Sequence, residues 1–396
     1  MNDDRARILV SGASVAGLTV AHWLHRYGFD VTVIERAAGL RPGGQALDVR
    51  GPGLEVARRM GVLDELRRRT TELRGMSMVD ESGEEVYRTE ERTLTGGRLD
   101  SDDVEVLRDD LIDTLHAAVD SDVTFVFDDR ITALRQDERG VVVEFARAAP
   151  DTFDAVIGAD GTHSSTRRLA FGPEEDFLRY MGGYVAVMTI PNFLGMDHWQ
   201  TFLMAGDAGA GVIGMDENAP ARAYLGFQVD DPIDYDYWDV AAQKHVLAER
   251  TGHLGWVVPQ ILEHMRDATS FHFDSRSQVI MEHWTDGRVA LVGDAGYAVS
   301  LTTGQGATMA MVGAYVLAGE LAASYGDPAV GIAHYEDELR VYVLRGQAAA
   351  RRLNEVSAAG DDEGPGDVAD FADFGDMVEH LPLKYYSREG RLRAVR

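Results

Sequence analysis

A strand, a glycine-bounded turn and a helix near the start of the chain constrain its fold more than any other feature. Residues 6–11 are a short apolar run, the turn Gly12-Ala-Ser-Val-Ala-Gly17 follows, and a helical pattern extends over residues 18–27. A second apolar run over residues 31–34 ends at Glu35. In this arrangement Gly12 makes the tight turn, Gly17 lets the helix pack closely on the strand, and Glu35 can hold a ribose. The segment therefore predicts a βαβ unit that binds a dinucleotide, and the alternative is a βαβ unit without a ligand.

Two competing interpretations of the glycine motifs fail on single residues. Ser14 replaces the middle glycine of the fingerprint and is small enough to do so. It is not a hydrolase nucleophile, because that turn requires glycine where Ala16 stands. The run Gly209-Ala-Gly-Val-Ile-Gly214 matches the fingerprint more literally, but Pro220 follows it too closely for the required helix. We predict a hairpin region there, and hence one dinucleotide-binding site in the chain.

A second segment with ligand-binding features comes late in the chain. Residues 289–292 are strand-like and end at Gly293-Asp294, and after a loop Gly304-Gln305-Gly306 opens a long helix of small residues that extends to about residue 324. A carboxylate at the end of a strand can accept hydrogen bonds from ligand hydroxyl groups. Glycines at a helix start let the backbone N–H groups, which carry partial positive charge, approach a ligand closely. This segment predicts where a polyhydroxylated, partly anionic cofactor binds.

A third segment has the same character. Residues 153–157 are strand-like and are followed by Gly158-Ala-Asp160-Gly161, with Ser164 and Arg167 soon after. The segment places a carboxylate and hydrogen-bond donors at the ligand edge of a sheet. The alternative is a strand-to-helix turn capped by Ser164 or Ser165. A second carboxylate at a strand end, in a chain that already carries the fingerprint, favours the ligand-binding interpretation.

Arg108 is predicted to lie in the first turn of a helix that opens at Glu105. A cation is unfavourable at the amino end of a helix dipole, unless it faces an anionic group such as a pyrophosphate. An ordinary surface arginine is the alternative, and the residues alone leave both open.

Composition and charge exclude several classes of function. The formal net charge is −28 and only two basic residues are lysines, which argues against nucleic acids and anionic membranes as partners. The absence of cysteine removes disulfides, thiolate catalysis and cysteine-bound metals. His22 and His25 share a helix without an acidic third ligand nearby, so no metal site is predicted. The chain shows no signal peptide and no apolar run long enough for a membrane span, so we expect a soluble cytoplasmic protein.

The three segments, in their order and together with Arg108, resemble the FAD-dependent aromatic hydroxylases, a monooxygenase superfamily similar to para-hydroxybenzoate hydroxylase. The similarity is greatest to the branch with tetracycline-inactivating monooxygenases, and it covers the chain from about residue 7 to 321. The resemblance implies an α/β fold: a Rossmann-like FAD-binding domain with a parallel sheet, interleaved with a smaller β-sheet substrate domain, and a C-terminal helical segment. The implied boundaries are 1–72, 99–177 and 284–330 for the FAD-binding domain, 73–98 and 178–283 for the substrate domain, and 331–396 for the C-terminal helices and tail.

The resemblance also implies roles for individual residues at an FAD site. Glu35 would hold the adenosine ribose, Arg108 the phosphate region and Asp294 the ribityl or phosphate side, while Asp160 would serve FAD and NAD(P)H together. The helix that opens at Gly306 would face the N1–C2=O edge of the isoalloxazine. The implied cofactor-binding residues are Gly12, Ser14, Val15, Ala16, Gly17, Glu35, Arg36, Gln45, Arg108, Asp160, Gly161, Asp294, Gly304, Gln305 and Gly306.

The loop above the flavin departs from the family pattern. Leu301 stands where relatives usually carry proline, and Tyr297 stands where they often carry histidine or tyrosine. Gly296 replaces the commoner alanine. Leu301 and Gln305 are the residues expected near the flavin, and the change at position 301 predicts a differently held loop.

In the implied substrate domain, one face of a sheet would cover the flavin ring. Alternation places Gln200 and Phe202 on one face of a strand and Leu203 on the other. Gln200, Phe202, Arg222 and Gln228 are candidate substrate contacts, and the alternative for each is a structural role.

The implied function is that of a monooxygenase that uses NAD(P)H and O₂ to hydroxylate an aromatic or polyketide-like small molecule through a C4a-hydroperoxyflavin. The chemistry belongs to the cofactor, so no catalytic side chain is assigned. Two alternatives stay open: a flavoprotein in which FAD is a scaffold for a redox-neutral reaction such as a cyclisation, and a flavin-dependent dehydrogenase or oxidase. The expected partners are a small-molecule substrate and O₂, without nucleic acid or membrane, and the expected state is a monomer or weak dimer.

Overall fold

The computed structural model of the chain describes residues 5–95, 97–300, 303–324, 327–359 and 381–387. Leu301 therefore lies outside the described residues. The sequence also predicts a last helix with an apolar face over residues 367–381, and all of it except residue 381 lies outside them. The strands, in chain order, are β1 Arg7–Ser11, β2 Asp30–Glu35, β3 Ala46–Val49, β4 Met76–Val79, β5 Glu85–Thr89, β6 Arg92–Thr93, β7 Gly97–Arg98, β8 Val104–Leu107, β9 Thr124–Phe127, β10 Ile131–Asp137, β11 Gly140–Phe145, β12 Asp151–Phe153, β13 Ala155–Gly158, β14 Leu178–Ile190, β15 Trp199–Ala205, β16 Ala208–Gly214, β17 Ala221–Phe227, β18 Phe271–Val279, β19 Thr285–Asp286 and β20 Val289–Leu291.

The helices alternate with the strands in the first part of the chain and follow one another at its end. In chain order they are α1 Val15–Tyr27, α2 Pro52–Met60, α3 Leu63–Arg68, α4 Arg108–Ala117, α5 Ser165–Ala170, α6 Val240–Thr251, α7 Val258–Asp267, α8 Asp294–Tyr297, α9 Gly306–Ala323 and α10 Pro328–Ala359. A short 3-10 turn spans Glu174–Asp176.

A mostly parallel sheet forms one of the two large sheets of the fold. Its strand order is β19-β20-β13-β1-β2-β9, and all neighbours run parallel except β19, which pairs antiparallel at the edge. The central strands β1, β13 and β20 are largely apolar because both faces of the sheet are covered there. Ile8 and Val10 of β1 face a core that includes α1 and α9, while Leu9 packs with residues of the small sheet β10-β11-β12. The predicted α/β fold with a parallel sheet is confirmed.

The carboxyl ends of β1, β2, β13 and β20 meet at one edge of this sheet. Ligands of open α/β sheets bind at this edge. The residues that follow or end these strands are Gly12, Glu35, Asp160 and Asp294. The fold thus brings three carboxylates and the glycine turn of the sequence motifs to one side of the molecule.

The other large sheet is mostly antiparallel and has the strand order β18-β14-β17-β16-β15-β4-β5. The glycine-rich run Gly209–Gly214 lies in β16, which pairs with β15 on one side and β17 on the other. The prediction of a hairpin region there is confirmed. One face of the sheet packs on α6 and α7 through residues such as Leu203, Leu225 and Leu247.

α9 is the central core helix. Every residue from Ala307 to Leu321 is buried, and the helix packs against α1, α2 and α10. Among the described residues it is the one helix long and apolar enough to cross a membrane, but 83% of that window is buried inside the protein. Such burial is typical of the core helix of a soluble protein, since its apolar length is already covered by other parts of the chain.

Residues 381–387 return to the outer side of α9. Lys384 Nζ lies 2.9 Å from Glu320 and 2.7 Å from Glu338, and the hydroxyl group of Tyr386 donates to Glu320. Arg59 of α2 donates to the carbonyl oxygen of Lys384 at 2.7 Å. These contacts attach the described end of the chain to α2, α9 and α10.

The structure corrects three local predictions. Glu105 does not open a helix: Val104–Leu107 is strand β8, because Val104 and Val106 alternate into the core and pair with β3, and the helix begins at Arg108. The turn after Gly293 is not a plain loop but the single-turn helix α8. The apolar run 153–157 is interrupted at Asp154, whose carboxylate accepts a 2.7 Å hydrogen bond from the backbone of Arg7.

Candidate cofactor site

The turn between β1 and α1 is packed as the fingerprint requires. Gly12 has a φ of +109°, and a Cβ atom on it would lie 2.5 Å from the carbonyl oxygen of Ala159. A Cβ atom on Gly17 would collide with the carbonyl oxygen of Gly12. No side chain caps α1 at Ser14, so the first N–H groups of the helix, which starts at Val15, are left for another acceptor. Phosphate is the ligand that such an end binds best.

The carboxylate of Glu35 is fixed beside this turn. Its Oε2 accepts a 2.9 Å hydrogen bond from the N–H of Ala13, and its Oε1 accepts one of 2.8 Å from Ala37. Each oxygen keeps a further lone pair for a ligand hydroxyl group. The next residue, Arg36, is exposed, and its guanidinium lies 3.8 Å from the ring centre of Trp238 in the loop before α6.

Arg108 is a half-buried cation without an anionic partner among the described residues. Its Nη2 lies 3.3 Å from the hydroxyl oxygen of Ser14, and its Nη1 lies 3.3 Å from the carbonyl oxygen of Arg41. Its backbone N–H donates to the carbonyl oxygen of Gln45 at 3.0 Å. Burial, followed by the charge of Arg41, lowers the pKa of Arg108 to about 10. The geometry favours the anion-facing interpretation over the surface one, since the guanidinium points to the open end of α1.

Asp294 combines an exposed side chain with protein atoms on most sides. Its side chain is accessible by area but enclosed by protein atoms, and none of the described residues donates a hydrogen bond to it. Enclosure is the main reason that the pKa of Asp294 rises to about 6, and the charge of Asp274 adds to it. A carboxylate with protein atoms on most sides is incompletely hydrated even where part of its surface is exposed. A carboxylate so placed requires donors such as the hydroxyl groups of a ribityl chain.

The start of α9 is open and electropositive. A Cβ atom on Gly306 would have no neighbour within 4 Å, and the first turn of the helix contains no acidic residue. The side-chain oxygen of Gln305 is buried without a hydrogen-bond partner. Gly304 has a φ of +64°, and a Cβ atom there would lie 2.7 Å from Oδ2 of Asp48. The open helix end fits the anionic edge of an isoalloxazine ring, whereas the side-chain oxygen of Gln305 requires a donor.

Asp160 is engaged within its own turn. Its Oδ2 accepts hydrogen bonds from the hydroxyl groups of Ser165 and Thr166 and from the backbone of Thr166, and Ser164 donates to Oδ1 at 2.5 Å. Ser164 also caps α5 by accepting from the backbone of Arg167. The described contacts of Asp160 and of the neighbouring Gly161 are those of a strand-to-helix turn, so their part in cofactor binding stays a prediction.

One face of the antiparallel sheet lies against the segment that leads into β3. Arg222 donates to the carbonyl oxygen of Gly44 at 3.1 Å, and the hydroxyl oxygen of Tyr224 accepts from the backbone of Ala46 at 3.2 Å. The pairing of β15, β16 and β17 aligns Gln200 with Arg222, and Phe202 with Tyr224, on this face. The predicted alternation is confirmed, because Leu203 packs in the opposite core.

The four candidate substrate contacts differ in their burial: three are buried and one is exposed. Gln200 is fully buried, and its side chain is bonded to the backbone of Leu94 and to the hydroxyl group of Thr95. Phe202 and Arg222 are also buried on the inner face. Gln228 is exposed beyond the end of β17, away from this face.

The sequence motifs missed a group of buried acids next to Gly304. Asp48 of β3 and Glu105 of β8 lie opposite each other in the strand pairing, and both are withdrawn from solvent. A single carboxylate at an alternating position of a short strand gives no motif. The signal available in the sequence is the unusual placement of Asp48 within the apolar run 46–49.

The acidic neighbours of His25 were also missed. Ligand atoms of His25, Asp120 and Asp122 lie within 4.8 Å of one another, although the two aspartates follow α4 and are distant in sequence. The reason given for expecting no metal, the absence of a nearby acid, is therefore wrong. Both aspartates are exposed, and the absence of a metal site stays a prediction.

Comparisons with known proteins agree with this geometry. A family model described as FAD binding domain matches residues 5–352. An uncharacterized protein of Mycobacterium tuberculosis (strain ATCC 25618 / H37Rv) is 49% identical over 340 residues, which cover 86% of this chain and 91% of that protein. A flavin-dependent monooxygenase of Legionella longbeachae serogroup 1 (strain NSW150) is 39% identical over 338 residues, covering 85% and 86%. The crystal structure of tetracycline destructase Tet(55) matches with a TM-score of 0.83 and 36% identity, covering 96% of this chain and 98% of that one.

Proposed function

The chain belongs to the FAD-binding family of flavin-dependent monooxygenases, and from that premise we propose that it hydroxylates an aromatic or polyketide-like small molecule with NAD(P)H and O₂. The resemblance inferred from the sequence, the FAD cofactor and the enzyme class are confirmed by these relatives. The proposed reaction converts R–H, O₂, NAD(P)H and H⁺ into R–OH, H₂O and NAD(P)⁺. Bound FAD supplies the chemistry, since it takes two electrons from the nicotinamide and activates O₂.

The observation that carries the proposal is a set of charged or polar groups, near the carboxyl edge of the parallel sheet, that lack complementary partners among the described residues. The guanidinium of Arg108 lacks an anion, the carboxylate of Asp294 lacks donors, and the amino end of α9 lacks an acceptor among the described residues. Phosphates, ribityl hydroxyl groups and the electron-rich edge of an isoalloxazine meet these three needs in that order. A poorly hydrated charge without an opposite charge and a helix end without an acceptor are both unfavourable, so the three groups together favour a ligand that satisfies them.

In this proposal each side chain has a binding or orienting task. Arg108 and the amino end of α1 neutralise the charge of the pyrophosphate, and Glu35 accepts hydrogen bonds from the adenosine ribose. Asp294 accepts from the ribityl chain. The amino end of α9 stabilises negative charge on the ring. No side chain acts as a nucleophile, so the protein contributes position, charge and exclusion of water.

The inner face of the antiparallel sheet is the proposed wall of the substrate chamber. Phe202 and Tyr224 present rings with centroids 6.3 Å apart, and Ile213 and Leu73 pack in the same small apolar cluster. Aromatic and aliphatic walls favour a flat, largely apolar substrate. The likeness to tetracycline destructases makes fused-ring polyketides the first compounds to test.

The test is substrate-stimulated oxidation of NADPH and NADH, measured together with O₂ uptake across phenols and fused-ring polyketides. We expect at least one compound to accelerate both, with one O₂ consumed for each nicotinamide oxidised. Product formation without nicotinamide oxidation or O₂ uptake would replace this proposal with the redox-neutral scaffold function.

We also place the enzyme in the cytoplasm, as a monomer or weak dimer without a membrane or nucleic-acid partner. The net charge of −28 and the burial of α9 within the protein support this placement. Sedimentation of the purified protein at two concentrations tests the oligomeric state, and a stable tetramer would contradict it.

A further inference from the structure

Two carboxyl groups face each other next to the start of α9. Asp48 of β3 and Glu105 of β8 are direct partners in the antiparallel pairing, and Asp48 is only 3% exposed. Directly opposite residues of such a pair project to the same side, where like charges are destabilising. The carboxylate of Asp48 lies against Gly304, since a Cβ atom on that glycine would be 2.7 Å from its Oδ2.

The local charges do not balance if every acid is ionised. Arg50 is the one cation that contacts the group among the described residues: its Nη2 lies 2.9 Å from Asp48, and its Nε lies 3.6 Å from Asp103. Arg222, the nearest cation of the antiparallel sheet, is paired with Asp109 instead. Three carboxylates around one guanidinium would leave two uncompensated negative charges in a largely buried place, which is strongly unfavourable.

The surroundings decide which acid keeps a proton. Burial raises the pKa of Glu105 as well, but its carboxylate accepts hydrogen bonds from the hydroxyl groups of Thr71 and Thr95, at 2.6 and 2.5 Å, and both oppose this shift by stabilising its ionised form. The side chain of Asp103 is partly open to solvent. Oδ1 of Asp48 is buried without any hydrogen-bond partner, so among the described residues only Arg50, at Oδ2, stabilises a negative charge on Asp48. Burial raises the pKa of Asp48 well above its usual value, and the charges of Glu105 and Asp103 oppose the effect of Arg50.

We propose that Asp48 stays a neutral carboxylic acid in the folded enzyme and thereby reserves the positive amino end of α9 for negative charge on the cofactor. An ionised Asp48 beside Gly304 would offset the partial charge of the helix end, because both act on the same place. Asp48 is thus a positioning residue, and it acts by remaining uncharged next to the helix end. The inference rests on the proposed location of the isoalloxazine at α9, and it assigns a role that neither Glu35 nor Asp294 has.

The coupling runs in both directions. If negative charge on the reduced cofactor disfavours ionisation of Asp48, the protonated carboxyl group must respond to reduction of the cofactor, since linkage between two sites is reciprocal. The bond order and hydrogen bonding of that carboxyl group then change without loss of its proton. Tyr224, whose hydroxyl oxygen accepts from the backbone of Ala46, is the titratable group that faces Asp48 from the antiparallel sheet, and it is neutral at the same pH.

The first experiment is reduced-minus-oxidised infrared difference spectroscopy of the FAD-loaded enzyme at pH 7.5. We expect a pair of bands from a protonated carboxyl group that shifts on ¹³C labelling of aspartate. The bands disappear in Asp48→Asn and persist in Asp103→Asn and in Glu105→Gln. Absence of the bands, or their persistence in Asp48→Asn, overturns the proposal. If Asp48→Asn does not fold, the isotope-labelled enzyme still decides: absence of an aspartate band overturns the proposal, and a band that persists in both Asp103→Asn and Asp294→Asn supports it.

The second experiment measures dissociation of FAD and of reduced FAD from Asp48→Asn at pH 7.5. Asparagine imitates the neutral acid, so both constants stay within about twofold of the unchanged enzyme. If Asp48 were ionised, removing its charge would tighten reduced FAD by about ten- to a hundredfold, the effect of a nearby charge at intermediate dielectric, and that result overturns the proposal. Failure of the enzyme to bind FAD at all would instead contradict the proposed function.

Discussion

Nε2 of His163 lies 3.0 Å from Oδ1 of Asp274, and this contact joins the loop after β13 to strand β18 of the antiparallel sheet. Nδ1 of the same ring lies 2.8 Å from Glu174, which also holds the fully buried Arg167 at 3.0 Å. A histidine between two carboxylates, largely withdrawn from solvent, ties the two halves of the fold together. The same Asp274 also raises the pKa of Asp294 through its negative charge.

The first prediction is a loss of stability at alkaline pH that depends on His163. Burial lowers the pKa of His163, but the bonds to Asp274 and Glu174 outweigh it and raise the value to about 9. Since the folded value exceeds the unfolded one, the stabilisation is complete below about pH 6.5 and is lost as the pH rises through 9. Replacing His163 with glutamine should remove about 3 kcal/mol of unfolding free energy at pH 6, the order expected for a broken buried ion pair, and should flatten that dependence.

Urea denaturation at pH 6, 7.5 and 9 checks this prediction. His245, which is exposed and pairs with Glu249 on α6, provides the control, and its replacement should leave the pH dependence unchanged. An equal pH dependence with and without His163 would assign the alkaline transition to other groups.

The second prediction concerns Asp294 and the pH dependence of FAD binding. Its pKa is about 6 without ligand, chiefly because it is enclosed. Hydroxyl donors from the cofactor favour the carboxylate form, so FAD affinity should fall as the pH drops through 6. Asp294→Asn should lose this pH dependence and should weaken FAD binding about ten- to a hundredfold at pH 8, from roughly 1.5–3 kcal/mol per charged hydrogen bond. Fluorescence titration from pH 5 to 8 gives both quantities, and parallel curves would count against the assignment.

The third prediction concerns Arg108 as the cation for the pyrophosphate. Arg108→Gln should weaken FAD binding by about tenfold or more, and high salt should reduce the difference between the variant and the unchanged enzyme. Arg135→Gln is the matched control, because its exposed guanidinium pairs with Glu144 within the small sheet β10-β11-β12. Equal effects of the two substitutions would show that Arg108 contributes only general positive charge. FMN, which lacks the pyrophosphate, should be insensitive to Arg108→Gln.

The fourth prediction concerns the glycine turn. Gly12→Ala places a Cβ atom 2.5 Å from a backbone oxygen at a residue whose φ is +109°, so the turn must open. We expect an unstable protein or one without bound FAD, with a loss of several kcal/mol typical of overpacking and backbone strain. Gly28→Ala is the control: its φ is also positive, but no atom lies within 4 Å of its Cβ position. Normal FAD content in Gly12→Ala would contradict the role of the turn.

The parts of the site that the sequence predicted depend on short-range patterns. The turn from Gly12 to Gly17, the carboxylate at the end of β2 and the start of α9 each lie within one strand–turn–helix unit, where glycine spacing and apolar periodicity are sufficient. Arg108 was placed in a first helical turn, but its burial and direction came only with the structure. For Asp160 the sequence predicts a ligand contact, but the hydrogen bonds that the structure shows are those of a strand-to-helix turn.

The parts that were missed arise from pairing between distant segments. The sequence predicts a helix start at β8 because the partner strand, β3, lies far away in the sequence. The opposition of Asp48 and Glu105 exists only once those strands pair. The approach of Asp120 and Asp122 to His25 likewise depends on the packing of α4 against α1. Local periodicity contains no information about such contacts.

The most direct test of the central claim is the source of the oxygen atom in the product. A compound that accelerates NAD(P)H oxidation is turned over under ¹⁸O₂ in ordinary water, and the product is analysed by mass spectrometry. The account predicts one ¹⁸O atom per product molecule and none when the label is in the water. Product that forms anaerobically, or that takes its oxygen from water, would contradict the assignment of this chain as a monooxygenase.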